Sequence, residues 1–258
     1  MNVIAIANFK GGTGKTATAV NLAAYLADAG RTVLLIDADP QHNATDFYSP
    51  IQAGEATLYD VLTGEAEPLW SDVVTPTGRW GIWLLGADMR LLTLDLSALV
   101  SGISDHRRRL ADFIGVLRED AAFDYIIIDG PPSFTAASVA ALTEADDVIL
   151  PTRADAWSRA GVLEMLDQIA SLRRRTGARP RCRVLITMAD RTNLSRQGAE
   201  ALAECGLEIF ATQIRRSVAV GESSYARQPL MDYAPDCNAA RDYDALTREI
   251  LKEAENNG

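Results

Sequence analysis

The residues able to do chemistry in this 258-residue chain gather in three short segments. The first is FKGGTGKT, residues 9–16. It follows an apolar, β-branched run (NVIAIAN, 2–8) and precedes the helix-like TATAVNLAAYLADAG (16–30). Strand, glycine loop and helix in that order turn backbone N–H groups and the positive end of a helix dipole toward one point, where phosphate oxygens bind. Gly11, Gly12, Thr13 and Gly14 then form the cradle, with Lys15 reaching the β- and γ-phosphates and the Thr16 hydroxyl ligating Mg²⁺. The strict pattern G-x-x-x-x-G-K-[ST] fails here, because Phe9 occupies its first glycine position and Lys10 with Gly11-Gly12 follows instead.

The other two segments supply carboxylates. DADPQHNAT (37–45) follows the apolar run TVLLID, and DYIIIDGPP (124–132) contains an apolar run ending at Asp129. In an open α/β sheet, ligands bind at the carboxyl ends of strands, so two such aspartates beside one phosphate loop read as a site rather than as isolated turn residues.

The elements that must position these groups are legible in outline. Short apolar runs recur at YIIID (125–129), DVILP (147–151) and RVLITM (183–188), alternating with helical patterns such as 161–175 and 195–206. That alternation predicts an α/β fold, a mainly parallel twisted sheet with helices on both faces, in a single domain over 1–258. Residues 50–122, with three prolines and Trp70, Trp80 and Trp83, read as a helix and loop insertion around a strand near Trp80 to Leu85. The start lacks the pattern of a secretory signal and no run of 18 apolar residues occurs, so a soluble cytoplasmic protein is expected. Cys182, Cys205 and Cys237 have no zinc or disulfide spacing.

Net charge is −10, which argues against a protein that coats nucleic acid with its whole surface. The balance is uneven. Residues 1–150 carry 9 basic and 20 acidic side chains, whereas 171–231 carry 11 arginines against 5 acids. One basic face on an acidic body fits that distribution.

KGGTGKT resembles the deviant Walker A box of the ParA/MinD family of ATPases, K-G-G-x-G-K-[ST]. Residues 37–43 resemble that family's switch I, D-x-D-P-Q-x-N, and 124–132 its Walker B and switch II. The likeness extends through TMADRTNLS (187–195) and 212–235 and is closest to the small chromosomal ParA proteins often called Soj. It implies an ATPase, weak and partner-stimulated, with ATP and Mg²⁺ as cofactors. It also implies a homodimer with ATP sandwiched at the interface, into which Lys10 reaches in trans. By the same likeness Asp39 orients the attacking water, Asp37 organises the magnesium shell or the loop, and Asp129 holds Mg²⁺ through water. Two departures stand out. Ile214-Arg215-Arg216-Ser217 replaces the common I-P-R-N near the adenine, and Ala17 replaces a common threonine, its backbone N–H still free to contact the α-phosphate.

The phosphate loop begins too early for the N-terminal helix-turn-helix of large plasmid ParA proteins, so sequence-specific operator binding is not expected. The ending ALTREILKEAENNG is a poor membrane anchor beside the basic helix of MinD relatives. Arg173, Arg174, Arg175, Arg191, Arg215 and Arg216 are the candidates for non-specific DNA binding, which dimerisation would double and ATP would gate. The resemblance therefore implies a nucleoid-associated partition ATPase with a ParB-like DNA-binding partner. The alternatives are positioning of a protein cargo or envelope machine, or regulation without DNA.

Overall fold

The computed structural model describes residues 1–50, 52, 55–65, 69–95, 104–155, 158–190, 192–204 and 206–257. Seven strands form one sheet: β1 (Asn2–Ile6), β2 (Val33–Asp37), β3 (Thr75–Pro76), β4 (Ile82–Leu85), β5 (Tyr125–Asp129), β6 (Asp147–Arg153) and β7 (Arg181–Thr187). Their order is β3-β4-β2-β5-β1-β6-β7, and every pairing is parallel except β3 with β4 at the edge. The central strands β1, β2, β4 and β5 are largely apolar because both faces are covered, and their side chains alternate between two cores. Val3, Leu34, Ile36, Ile126 and Ile128 face one core, while Ile4, Ile6, Leu35, Ile127 and Ile149 face the other.

The first core is closed by α3 (Leu58–Thr63), α5 (Ser104–Glu119), α6 (Ala136–Glu144) and α7 (Ser158–Thr176), and the second by α1 (Lys15–Asp28) and α11 (Asn238–Asn257). Each fully buried leucine or isoleucine contributes about 1.5–3 kcal/mol, which fixes helices to sheet and so fixes the loops at the strands' carboxyl ends. The remaining helices are α2 (Asn43–Tyr48), α4 (Trp70–Val73), α8 (Asn193–Ala203), α9 (Val218–Ala226) and α10 (Leu230–Tyr233). Among the described residues, no helix is long and apolar enough to cross a membrane.

Within 50–122 the expected strand is β4, paired in parallel with β2. The helix α3 starts on a capping box in which Asp60 accepts from the Thr57 N–H at 2.8 Å. The helix α9 was not foreseen, since Val-Ala-Val-Gly-Glu-Ser-Ser mixes β-branched residues and glycine without an amphipathic period.

Candidate functional site

The loop between β1 and α1 lies at the carboxyl edge of the central strands. Gly12 and Gly14 adopt φ of +70° and +90°, a region that strains other residues, and so let the chain curl back before the helix. Gly14 caps α1 without a side-chain hydrogen bond and the first turn holds no acid, so its leading N–H groups are left for an anion. The loop is braced from the neighbouring strands. Asn8 donates to the Pro151 carbonyl at 2.7 Å, and Thr187 donates to the Thr13 carbonyl at 2.8 Å.

Lys15 is buried, its ammonium 3.5 Å from the Lys10 carbonyl. Burial pulls its pKa below the usual lysine value, and the charges of Asp129 and Asp39 oppose that pull. Such a poorly compensated cation at a helix start is poised for phosphate oxygens. Lys10 lies at the mouth, where its Nζ pairs with Asp155 at 2.8 Å and its side chain remains 41% exposed.

Across the sheet, β2 and β5 place Asp37 and Asp129 side by side. Asp37 accepts from the Asp39 N–H at 3.1 Å and from the Thr45 N–H and hydroxyl at 2.9 and 2.8 Å. Three donors thus tie it to the loop leading into α2, and the loop-organising role is the one its hydrogen bonds describe. Both carboxylate oxygens of Asp129 are buried and accept no hydrogen bond of normal geometry, although the Thr16 hydroxyl is near enough to lower its pKa. Burial, then repulsion from Asp37, raises the Asp129 pKa well above the carboxylate range; burial also raises that of Asp37. A divalent cation fits this gap. Magnesium takes one or two protein ligands with phosphate and water oxygens, and among the described residues no cluster of three His, Cys, Asp or Glu offers an all-protein site. Asp39 is buried beside it, with Oδ1 accepting from the Gln41 N–H at 3.0 Å.

Beside the first turn of α1 a cavity of about 380 Å³ is lined by Gly14, Ala17, Thr187, Ile214, Arg215 and Tyr243. Arg215 borders it, but its guanidinium lies on Asp242, with Nη2 to Oδ1 at 2.5 Å, so it does not project a free cation.

The candidate DNA-binding arginines fall in two groups. Arg173, Arg174 and Arg175 end α7 beside the amino end of β7, where Arg173 donates to the Pro180 carbonyl. Arg215 and Arg216 follow its carboxyl end, so a seven-residue strand of about 20 Å separates the groups. The run 171–183, which holds no acid of its own, is partly neutralised from elsewhere. Arg181 pairs with Glu208 and Glu253, and buried Arg183 pairs with Asp147 and Glu253. Arg174, Arg175 and Arg216 are exposed, and Arg191 lies outside the described residues. Two polar groups of the site were missed from sequence, Asp155 and Thr45. Asp155 follows the carboxyl end of β6, so the strand-end rule that picked out Asp37 and Asp129 reaches it too.

A phosphate cradle opening a helix, a buried lysine in it and an uncompensated strand-end carboxylate opposite together define a P-loop ATPase. Residues 1–181 match the AAA domain family. The chromosome partitioning protein ParA of Caulobacter vibrioides is 35% identical over 97% of this chain and 94% of its own length. The chromosome-partitioning ATPase Soj of Thermus thermophilus is 34% identical over 96% and 94%. An ATP complex of Cyanothece McdA superposes with a TM-score of 0.84 at 26% identity, covering 97% of this chain and 96% of that one. The chain belongs to the ParA/MinD family of P-loop ATPases, among ParA and Soj relatives.

Proposed function

We propose that the protein is an ATP-dependent dimerisation switch that partitions DNA, hydrolysing ATP slowly until a ParB-like partner stimulates it. The observation that carries this reading is the pair of unpartnered, buried Asp129 oxygens facing a cradle whose mouth holds Lys10. The backbone N–H groups of residues 11–17 and Lys15 hold the phosphates of ATP. Thr16 and Asp129 would hold Mg²⁺, with Asp37 fixing the loop around it; the cation neutralises phosphate charge when bound. Asp39 aligns the water for in-line attack. Lys10 of each protomer exchanges Asp155 for the partner's phosphates, which ties turnover to assembly. Light scattering with ATP or ADP, followed by a gel shift on random-sequence DNA, tests it. An ATP-dependent dimer that retards DNA is expected, and a nucleotide-indifferent monomer would refute it.

A second reading is favoured by the pairing of Arg181, Arg183 and Arg215 with the chain's own acids. On it the same switch positions a protein cargo, or regulates a process, without touching DNA. An ATP dimer that leaves DNA unshifted selects it.

A further inference from the structure

On the face of the sheet opposite α1 and α11, a groove encloses about 470 Å³, and none of its lining residues belongs to the phosphate cradle. Its walls come from α5 and α7, and its floor from the short helix α6 between them. Four of the nine residues of α6 are alanine, so it lies low between neighbours of 16 and 19 residues. The size falls in the ordinary range for small-molecule sites, which combine an apolar lining with a few orienting polar groups.

Both components are present. Phe134, Val139 and Leu172 supply apolar surface, and Phe134 is 38% exposed there. Its ring is held edge-on by Phe9 at 5.7 Å between centroids, so this part of the floor is anchored. Arg107 projects from one wall and Arg175 from the other. Most arginines that border carboxylates in this protein are paired, as Arg90, Arg118, Arg181 and Arg183 are. Arg107 and Arg175 make no hydrogen bond or ion pair among the described residues. Glu144 lies within electrostatic range of Arg107 but forms no ion pair with it. Two guanidiniums without a directly paired carboxylate, facing a half-apolar hollow, are a poor match to water alone and a good one to an amphiphilic anion.

We propose that this groove is a ligand site for a small anion carrying an aromatic or acyl body. Arg107 and Arg175 take the carboxylate, sulfonate or phosphate, and the body lies on Phe134, Val139 and Leu172. Duplex DNA does not match this arrangement, because its backbone has no apolar part to fill the floor. The site is separate from the nucleotide cradle and does not depend on what the ATPase cycle serves.

The probe is anilinonaphthalene sulfonate, titrated by fluorescence onto full-length protein with the phosphate loop saturated by ADP and Mg²⁺. The neutral N-phenylnaphthylamine serves as its uncharged counterpart. Saturable binding of the anion is expected, about tenfold weaker in R107Q/R175Q and in Phe134→Ala, with the neutral dye binding at least tenfold more weakly to wild type. Unchanged circular dichroism and ADP affinity show that the variants are folded. The arginine variant keeps the proposal testable if Phe134→Ala loosens the floor. Equal anion binding by wild type and R107Q/R175Q would overturn the site, as would equal affinity for the neutral dye. Displacement of the anion by random-sequence duplex DNA at matched ionic strength would also overturn it, assigning the arginines to phosphate backbone instead.

Discussion

Asp37 and Asp129 stand directly opposite one another on adjacent parallel strands, both with no exposed surface, yet only one of them is satisfied by hydrogen bonds. Their backbones lie about 5 Å apart, a spacing at which two buried negative charges repel strongly. The donors on Asp37 leave Asp129 as the carboxylate whose charge the fold leaves open, with Lys15 and Thr16 as its nearby polar groups.

Asp129→Asn keeps the shape and removes that charge. Without nucleotide or magnesium the variant should be more stable, by about 1 kcal/mol or a melting temperature about 2–4 °C higher, because a repulsive buried ionisation is gone. Magnesium should cease to tighten ATP binding. Calorimetric melting and titrations with and without EDTA check both halves. A less stable variant that still answers to magnesium would place the cation elsewhere.

Lys15→Ala removes a buried cation from the phosphate cradle. A charge-assisted hydrogen bond in such a site is worth about 1.5–3 kcal/mol, so ADP affinity should fall about 10- to 100-fold in isothermal titration. The fold should survive, because the cradle's backbone is braced by Asn8 and Thr187 rather than by this side chain. Wild-type affinity would remove the cradle assignment.

Lys10 and Asp155 are both partly exposed, so their ion pair contributes about 1 kcal/mol at most. Lys10 can therefore leave it cheaply. Asp155→Asn should change ATP-dependent dimerisation less than about fivefold. Lys10→Ala should bind ATP as a monomer and lose partner-stimulated turnover. Phosphate release assays and light scattering separate the two, and normal stimulated turnover in Lys10→Ala would end the argument for action in trans.

The parallel core and the cradle were legible in the sequence for physical reasons. A strand buried on both faces has to be continuously apolar, and a loop that wraps phosphate needs Gly12 and Gly14 at positive φ. Long-range pairing was not legible. Arg173 to Arg183 read as an acid-free run, but Glu208 and Glu253 reach it from segments 25 or more residues away, and no local pattern announces them. Arg215 shows the same limit. It read as both an adenine and a DNA contact, and its guanidinium is taken up by Asp242 on α11.

If DNA is bound, exposed arginines should meet its phosphates and paired ones should not. Arg174→Ala and Arg216→Ala should each lower the slope of log affinity against log salt by about 0.9 for every phosphate that the arginine had neutralised. Arg181→Ala should leave the slope unchanged, since its charge is already matched by Glu208 and Glu253. Gel shifts across a salt series with ATP give the slopes. A slope that drops with Arg181 and not with Arg174 or Arg216 would show that intramolecular pairing does not decide which arginines meet phosphate.

Asp39 contributes one backbone-capping hydrogen bond, from Gln41, and its own N–H is fixed by Asp37. Removing its side chain should therefore leave the switch I loop largely anchored, because Asp37 and Thr45 still hold the loop's two ends together. ATP binding depends on Lys15, Thr16 and the glycine backbone, so it should survive in Asp39→Ala. Hydrolysis needs a water held in line with the bond that breaks, and loss of its positioning group should slow that step by about 100-fold or more. An ATP state that forms and does not decay accumulates, so the variant should be more dimeric with ATP than wild type and stay dimeric longer after dilution of nucleotide. Light scattering during dilution reads this directly. A variant that binds ATP, fails to hydrolyse it and stays monomeric would break the link between nucleotide and assembly. Unimpaired hydrolysis would instead shift the water-positioning role to another residue of the 37–45 loop.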